Sequence, residues 1–164
     1  PAGASGGSGV TRTKRRMTLC TVLLLCNLVF IWGNSLLPAE VSGQISGTLK
    51  ALLDGVFTPG EAVPSGGDGL LRKFAHFAEF GALGLLLGWL FGMLGKKRLP
   101  AFALSLAAAC IDETIQVFVP GRSPGIRDVC IDSCGAAAGM LLLFLGHAYW
   151  KRRFTRKNSG GNET

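Results

Sequence analysis

Four apolar stretches dominate the sequence: residues 19–37, 74–94, 99–119 and 129–150. Each is about 20 residues, and at roughly 1.5 Å per residue a helix of that length crosses a hydrocarbon core about 30 Å thick. A buried helix of a soluble protein keeps a polar face outward. The first stretch has none, because Leu23, Leu24, Leu25, Leu28, Val29, Phe30 and Ile31 cover all its sides. Composition agrees: 48% of the 164 residues are hydrophobic and 16% charged, whereas soluble domains carry about a quarter charged residues. The same balance excludes disorder. The length fits one domain. The sequence therefore predicts an all-α membrane protein with four transmembrane helices.

The charges predict its orientation. Arg12, Lys14, Arg15 and Arg16 precede the first stretch. Lys96, Lys97 and Arg98 separate the second from the third, and Lys151, Arg152, Arg153, Arg156 and Lys157 follow the fourth. Alternating spans put these three groups on one side, with Glu163 as their only acid. The opposite side holds Lys50, Arg72, Lys73, Arg122 and Arg127 against nine acids: Glu40, Asp54, Glu61, Asp68, Glu79, Asp112, Glu113, Asp128 and Asp132. Excess Lys and Arg marks the cytoplasmic side, so both termini are expected inside (N-in/C-in). The net charge of +7 is thus a topology signal. It does not point to nucleic acid, and the basic groups are placed to meet anionic lipid of the bilayer.

The first stretch is longer than the apolar region of a signal peptide and lacks a small-residue cleavage site, so it reads as an anchor. Residues 1–16, Gly/Ser-rich and then basic, are expected to be flexible. Residues 17–154 form the transmembrane domain, and 155–164 a disordered polar tail. In the first outer loop, Val41, Ile45, Leu49, Leu52, Leu53 and Val56 form a helical stripe, which predicts a short interfacial helix. Residues 58–69 are a Pro/Gly breaker run, with Asp68 placed to cap the next helix. Residues 120–125 make a tight Pro-Gly turn. Cys20, Cys26, Cys110, Cys130 and Cys134 form no C-x-x-C pair and read as small apolar fillers. A disulfide between Cys110 and Cys130 on the outer side stays open, as does the state of Cys134.

Ionisable side chains inside a span cost roughly 2.5–3.5 kcal/mol each near its centre. Here they cluster. The second stretch opens with Arg72, Lys73, His76 and Glu79, the third closes with Asp112, Glu113 and Gln116, and the fourth opens with Arg127, Asp128 and Asp132. Alternating directions bring all three sets to the outer half of the membrane. His76 and Glu79 lie about 60° apart on neighbouring turns. Asp128 and Asp132 share a stripe with Gly135 and Gly139, which admits a close neighbour. Gly84, Gly88 and Gly92 give the second span a similar face. Asp112 and Glu113 point about 100° apart, so one of them faces a loop or another helix.

Several readings of this cluster stand side by side. It is a salt-bridge cluster, with Arg122 or Lys73 neutralising Asp128 or Glu113. It is a binding site for an outer-leaflet or extracellular ligand. Or it is an acid–base or metal site, with His76, Glu79, Asp112 and Glu113 as catalytic candidates. No cofactor is implied outright, but a divalent metal would find its ligands among His76, Glu79 and Asp128. His147, on the inner side beside Tyr149 and Trp150, reads as an interfacial anchor.

Several segments carry a family likeness: Arg72-Lys73-Phe74-Ala75-His76-Phe77-Ala78-Glu79-Phe80 with Leu83-Gly84; Asp112-Glu113-Thr114-Ile115-Gln116-Val117-Phe118-Val119-Pro120-Gly121-Arg122; and Asp128-Val129-Cys130-Ile131-Asp132-Ser133 with Gly135 and Gly139. Together they resemble the signatures of the VanZ-like family, and Asn34-Ser35-Leu36-Leu37-Pro38-Ala39 with Ser42 and Ser46 fits its looser first-span pattern. The resemblance covers roughly residues 17–150. It implies a small multi-pass protein of the bacterial cytoplasmic membrane; the family's namesake is linked to low-level teicoplanin resistance, without an established mechanism. Many members carry His where this chain has Ile115, and often Tyr where it has Phe80.

With that resemblance, the expected function is an outward-facing polar pocket in the cell envelope. Lys73, His76, Glu79, Asp112, Glu113, Gln116, Arg122, Asp128 and Asp132 would bind a glycopeptide or a lipid-linked cell-wall precursor and contribute to teicoplanin resistance. The alternatives are a membrane enzyme acting on a lipid-linked envelope substrate, and a non-catalytic accessory subunit whose Gly-lined faces dock a partner helix.

Overall fold

The computed structural model describes residues 6–57 and 68–159. Among them it contains five helices and no strand: α1 (Gly6–Ser35), α2 (Ala39–Phe57), α3 (Asp68–Met93), α4 (Leu99–Val117) and α5 (Ile126–Ser159). The chain is all-α. The stretches Val10–Ser35, Gly69–Met93 and Ile126–Arg153 are long and apolar enough to cross a membrane. The fourth expected span, α4, is a 19-residue helix whose apolar run is broken near its end by Asp112, Glu113 and Gln116, all turned inward and buried.

Two boundaries differ from the sequence reading. Helix α1 starts at Gly6, so residues 6–16, expected to be flexible, are helical. Helix α5 continues to Ser159, through residues 155–159 of the expected disordered tail. Both extensions prolong a long apolar helix, where each added residue gains a hydrogen bond without a new nucleation step. The helix expected in the first outer loop is α2, begun just after Pro38. Of its apolar stripe, Val41 and Ile45 are exposed. The side chains of residues 49–57, the breaker run at 58–67 and the cap expected of Asp68 lie outside the described residues.

Burial is inverted relative to a soluble protein. Leu25, Val29, Phe30, Leu142, Phe144 and Leu145 are each more than half exposed, whereas Asp112 and Asp132 are fully buried. Water-soluble domains do the reverse; an apolar solvent stabilises this arrangement. The apolar core joins Ile31 of α1, Phe80, Leu83 and Leu87 of α3, and Ala101, Ala108 and Ala109 of α4.

Helices α3 and α5 make the tightest contact. A Cβ at Gly84 would overlap the Ala136 backbone, one at Gly135 the Phe77 carbonyl, and one at Gly139 the Gly81 carbonyl. Only glycine permits so close an approach. Gly88 faces the Leu143 side chain at 3.2 Å, but Gly92 has nothing within 4 Å, so the expected α3 face ends one turn early. Gly84, Gly135 and Gly139 pack against partners within the chain. All five cysteines are free thiols.

At the other end of α1, the chain turns and is held by the loop after α4. The Ala39 amide donates to the Pro120 carbonyl at 3.2 Å. Gly121 lies against Ala39 with φ +75°, and a Cβ there would come within 3.1 Å of the Ala39 methyl. The left-handed conformation and the crowding both favour glycine.

Candidate functional site

The polar ends of α3, α4 and α5 meet, as their alternating directions require, and the end of α1 joins them. Asp112 on α4 lies at the centre. Its Oδ2 accepts from Ser35 Oγ at 2.8 Å and from Gln116 Nε2 at 2.9 Å. The imidazole of His76 brings Nδ1 to 3.8 Å from that oxygen and to 3.8 Å from Asp132 Oδ1. Those separations are too long for hydrogen bonds and too short for indifference between charges. Asp132 is fully buried, yet neither of its oxygens has a hydrogen-bond partner; Asp112 Oδ1 has none either.

Glu113 takes the other direction expected from helix geometry. Its Oε2 accepts the Gly125 amide at 2.8 Å, fastening the loop before α5, while Gln116 Nε2 reaches its Oε1 at 3.4 Å. Gln116 thus bridges two carboxylates that point apart.

Above this layer lies a recess lined by Arg72, Lys73, His76, Glu113, Gln116, Asp128, Ile131 and Asp132. Six of the nine site residues expected from sequence share it: Lys73, His76, Glu113, Gln116, Asp128 and Asp132. Asp112 lies buried beside His76 and Asp132.

Two expected site residues are elsewhere. Glu79 is one turn along α3 from His76 and rotated about 60°, which carries it to α1; its Oε1 accepts from Asn34 Nδ2 at 3.0 Å. Arg122 is 9% exposed and pins α1: Nε donates to the Leu37 carbonyl at 3.1 Å and Nη2 to the Asn34 carbonyl at 2.9 Å. Burial lowers its pKa from the ordinary value, as does the nearby Arg72 guanidinium, against the pull of Asp112 and Glu113; a guanidinium stays charged regardless. Its hydrogen bonds go to backbone carbonyls, and they do not implement the salt bridge to Asp128 or Glu113 considered from sequence.

The donor set that could hold a metal also differs. His76 meets Asp112 and Asp132, with one ligand atom from each within 4.8 Å of the others. Glu79 is turned to α1, and Asp128, one turn before Asp132, lines the recess above. The nine binding residues expected from sequence leave out Asn34, Ser35 and Arg72, although Arg72 stands in the polar cluster and Asn34-Ser35 in the first-span pattern. For Asn34 and Ser35 the available signal was polar side chains closing an otherwise apolar span at the level where the other polar ends converge.

This placement of the three segments coincides with a family match. Residues 11–147 match the family described as VanZ/LLP1. No curated protein and no solved structure matches the chain. The matched region contains the whole polar layer, from Asn34 to Asp132, and most of each long apolar helix. The chain belongs to the VanZ/LLP1 family and is a membrane protein of the VanZ type.

Proposed function

We propose that the chain spans the bacterial cytoplasmic membrane four times, with both termini cytoplasmic. Its outward-facing polar recess would bind the phosphate-bearing head of a lipid-linked envelope precursor. The observation that carries this reading is the pairing of cations at the mouth with buried polar groups below: Arg72 and Lys73 border the recess over His76 and Gln116. Helix α4, as the third span, presents its apolar part to lipid and keeps Asp112, Glu113 and Gln116 inside. The basic residues early in α1, between α3 and α4 and late in α5 all fall at the opposite end, which supports the orientation.

Size favours a headgroup over a whole glycopeptide. The space enclosed by the recess is about 10 Å³, room for about one water molecule and far below the roughly 300 Å³ of cavities that enclose drug-sized molecules; a glycopeptide would not enter it, and a phosphate group would meet the cations at its rim. Glycopeptide tolerance would then be indirect, arising from capture of a precursor. A second reading, a membrane enzyme working on the same lipid-linked class, is favoured by His76 lying between two buried carboxylates.

Charge-assisted hydrogen bonds to phosphate contribute roughly 1.5–3 kcal/mol each. Removing both cations in an Arg72→Ala, Lys73→Ala variant is therefore expected to weaken binding of a polyprenyl phosphate at least about tenfold. Native mass spectrometry of nanodiscs would measure it. The same variant should lose any teicoplanin tolerance that the wild type confers on cells. Undiminished lipid binding in a well-folded variant would contradict the reading.

A further inference from the structure

We propose that His76, Asp112 and Asp132 form a binding site for one divalent transition-metal ion, with zinc as the ion their chemistry fits best. Three helices each contribute one donor, and the donor atoms all lie within 4.8 Å of one another. The pointer to a ligand is Asp132. It is fully buried, faces His76, and leaves both carboxylate oxygens without a partner; Asp112 Oδ1 is unpartnered as well. A buried carboxylate normally has hydrogen bonds or a cation beside it. The nearby guanidinium of Arg122 donates to the carbonyls of Asn34 and Leu37. Lys73 is exposed at the mouth. A dication set against two carboxylates and a neutral imidazole would balance the charge of the layer.

The donor set selects among ions. One imidazole nitrogen with two carboxylates suits zinc, which takes three protein ligands and keeps a fourth position open in reactive sites. Magnesium favours oxygen donors and retained water. Zinc bonds near 2.0–2.2 Å set tetrahedral donors about 3.4 Å apart. His76 Nδ1 stands 3.8 Å from each carboxylate, so those two edges would shorten by about 0.4 Å, while the carboxylate–carboxylate edge, within 4.8 Å, would close by rotation of the Asp132 side chain. Asp112 is already oriented by Ser35 and Gln116, as metal-binding carboxylates are by their outer hydrogen bonds. His76 and Asp132 also line the recess, so an open coordination position would face it. Use of that position by a phosphate oxygen rests on the function proposed above; binding of the ion does not.

The test uses the full chain, purified in detergent without a polyhistidine tag, stripped with chelator, and titrated with ZnCl₂ and separately with CoCl₂. About one zinc per chain is expected by elemental analysis, with a rise in melting temperature. Cobalt should give visible absorption bands that zinc bleaches, a readout that needs no variant. His76→Ala and Asp132→Asn should each weaken zinc binding at least about tenfold, while Glu40→Gln, an exposed carboxylate on α2 outside the recess, leaves it within about twofold. Substoichiometric zinc with no bleachable cobalt spectrum would overturn the site, as would wild-type affinity in a folded Asp132→Asn protein. Zinc binding retained alongside absent polyprenyl phosphate binding would overturn the lipid reading alone.

Discussion

A Gly139→Leu protein is expected to lose its folded form, while Gly92→Leu is expected to remain folded. Both glycines lie on the facing pair of long helices, and hydropathy does not separate them. What differs is the space beside them. A Cβ at Gly139 would run into the carbonyl of Gly81 and come within 3.0 Å of the Leu85 amide nitrogen, whereas Gly92 has open space out to 4 Å. The obstructing atoms are backbone, so no side chain can swing away to relieve the clash. Overpacking a core typically costs 1–3 kcal/mol where neighbours adjust. Here α3 and α5 must separate, and the cost should exceed about 3 kcal/mol, a large part of a typical stability of roughly 5–15 kcal/mol. Size-exclusion chromatography and thermal melting in detergent would read the result. A monodisperse Gly139→Leu protein melting with the wild type would contradict the helix contact. The same separation would carry Asp132 away from His76, since Gly135 and Gly139 continue the stripe that presents it.

Arg122→Ala is expected to cost about 3 kcal/mol, or roughly 10 °C in melting temperature. The last carbonyls of a helix have no intrahelical donor. At the end of α1 the guanidinium supplies one, reaching the Leu37 and Asn34 carbonyls from a position only 9% exposed. Alanine would strand the Leu37 carbonyl and leave Asn34 with the Leu37 amide alone. Arg122→Lys should recover only part of the loss, because an ammonium lacks the planar fork that serves two acceptors at once. The effect should spread to the recess, since the loop carrying Arg122 also carries Gly125, whose amide holds Glu113. An Arg122→Ala protein melting within about 2 °C of wild type would contradict this anchoring role.

Much of this molecule is legible in its sequence, for a physical reason. Residues too costly to leave in hydrocarbon must be paired, and only three segments have them, at ends that alternation brings together. That locates the polar layer without coordinates, and the glycine spacing at 135 and 139 identifies the face of α5 that enters it. What sequence does not contain is the rotation of each helix about its own axis. Glu79 shares a helix and a level with His76, yet its 60° offset turns it to Asn34. Asp112 and Glu113 are adjacent in the chain and end on different partners, one on Ser35 and one on Gly125. Arg122 reads from sequence either as an anion contact or as a pin for its own turn; only the fold shows a helix terminus waiting for its donors. Asn34 and Ser35 stand in the first-span pattern, but their contacts to Glu79 and Asp112 are not legible there, because in so apolar a run a terminal Asn-Ser pair reads as the edge of the membrane. The proposed metal set illustrates the same limit: His76 belongs to every version of it, whereas the carboxylates that join it depend on helix phase.

The exterior placement of the polar layer is tested most directly by cysteine labelling of intact cells, in a background whose five native cysteines are replaced. A membrane-impermeant maleimide is expected to modify Ser123→Cys, in the exposed turn beside the recess, without permeabilisation. Lys97→Cys, in the exposed turn at the opposite end, should react only after the membrane is opened. Labelling of Lys97→Cys from outside, with Ser123→Cys protected until permeabilisation, would contradict the orientation and with it an outward-facing recess.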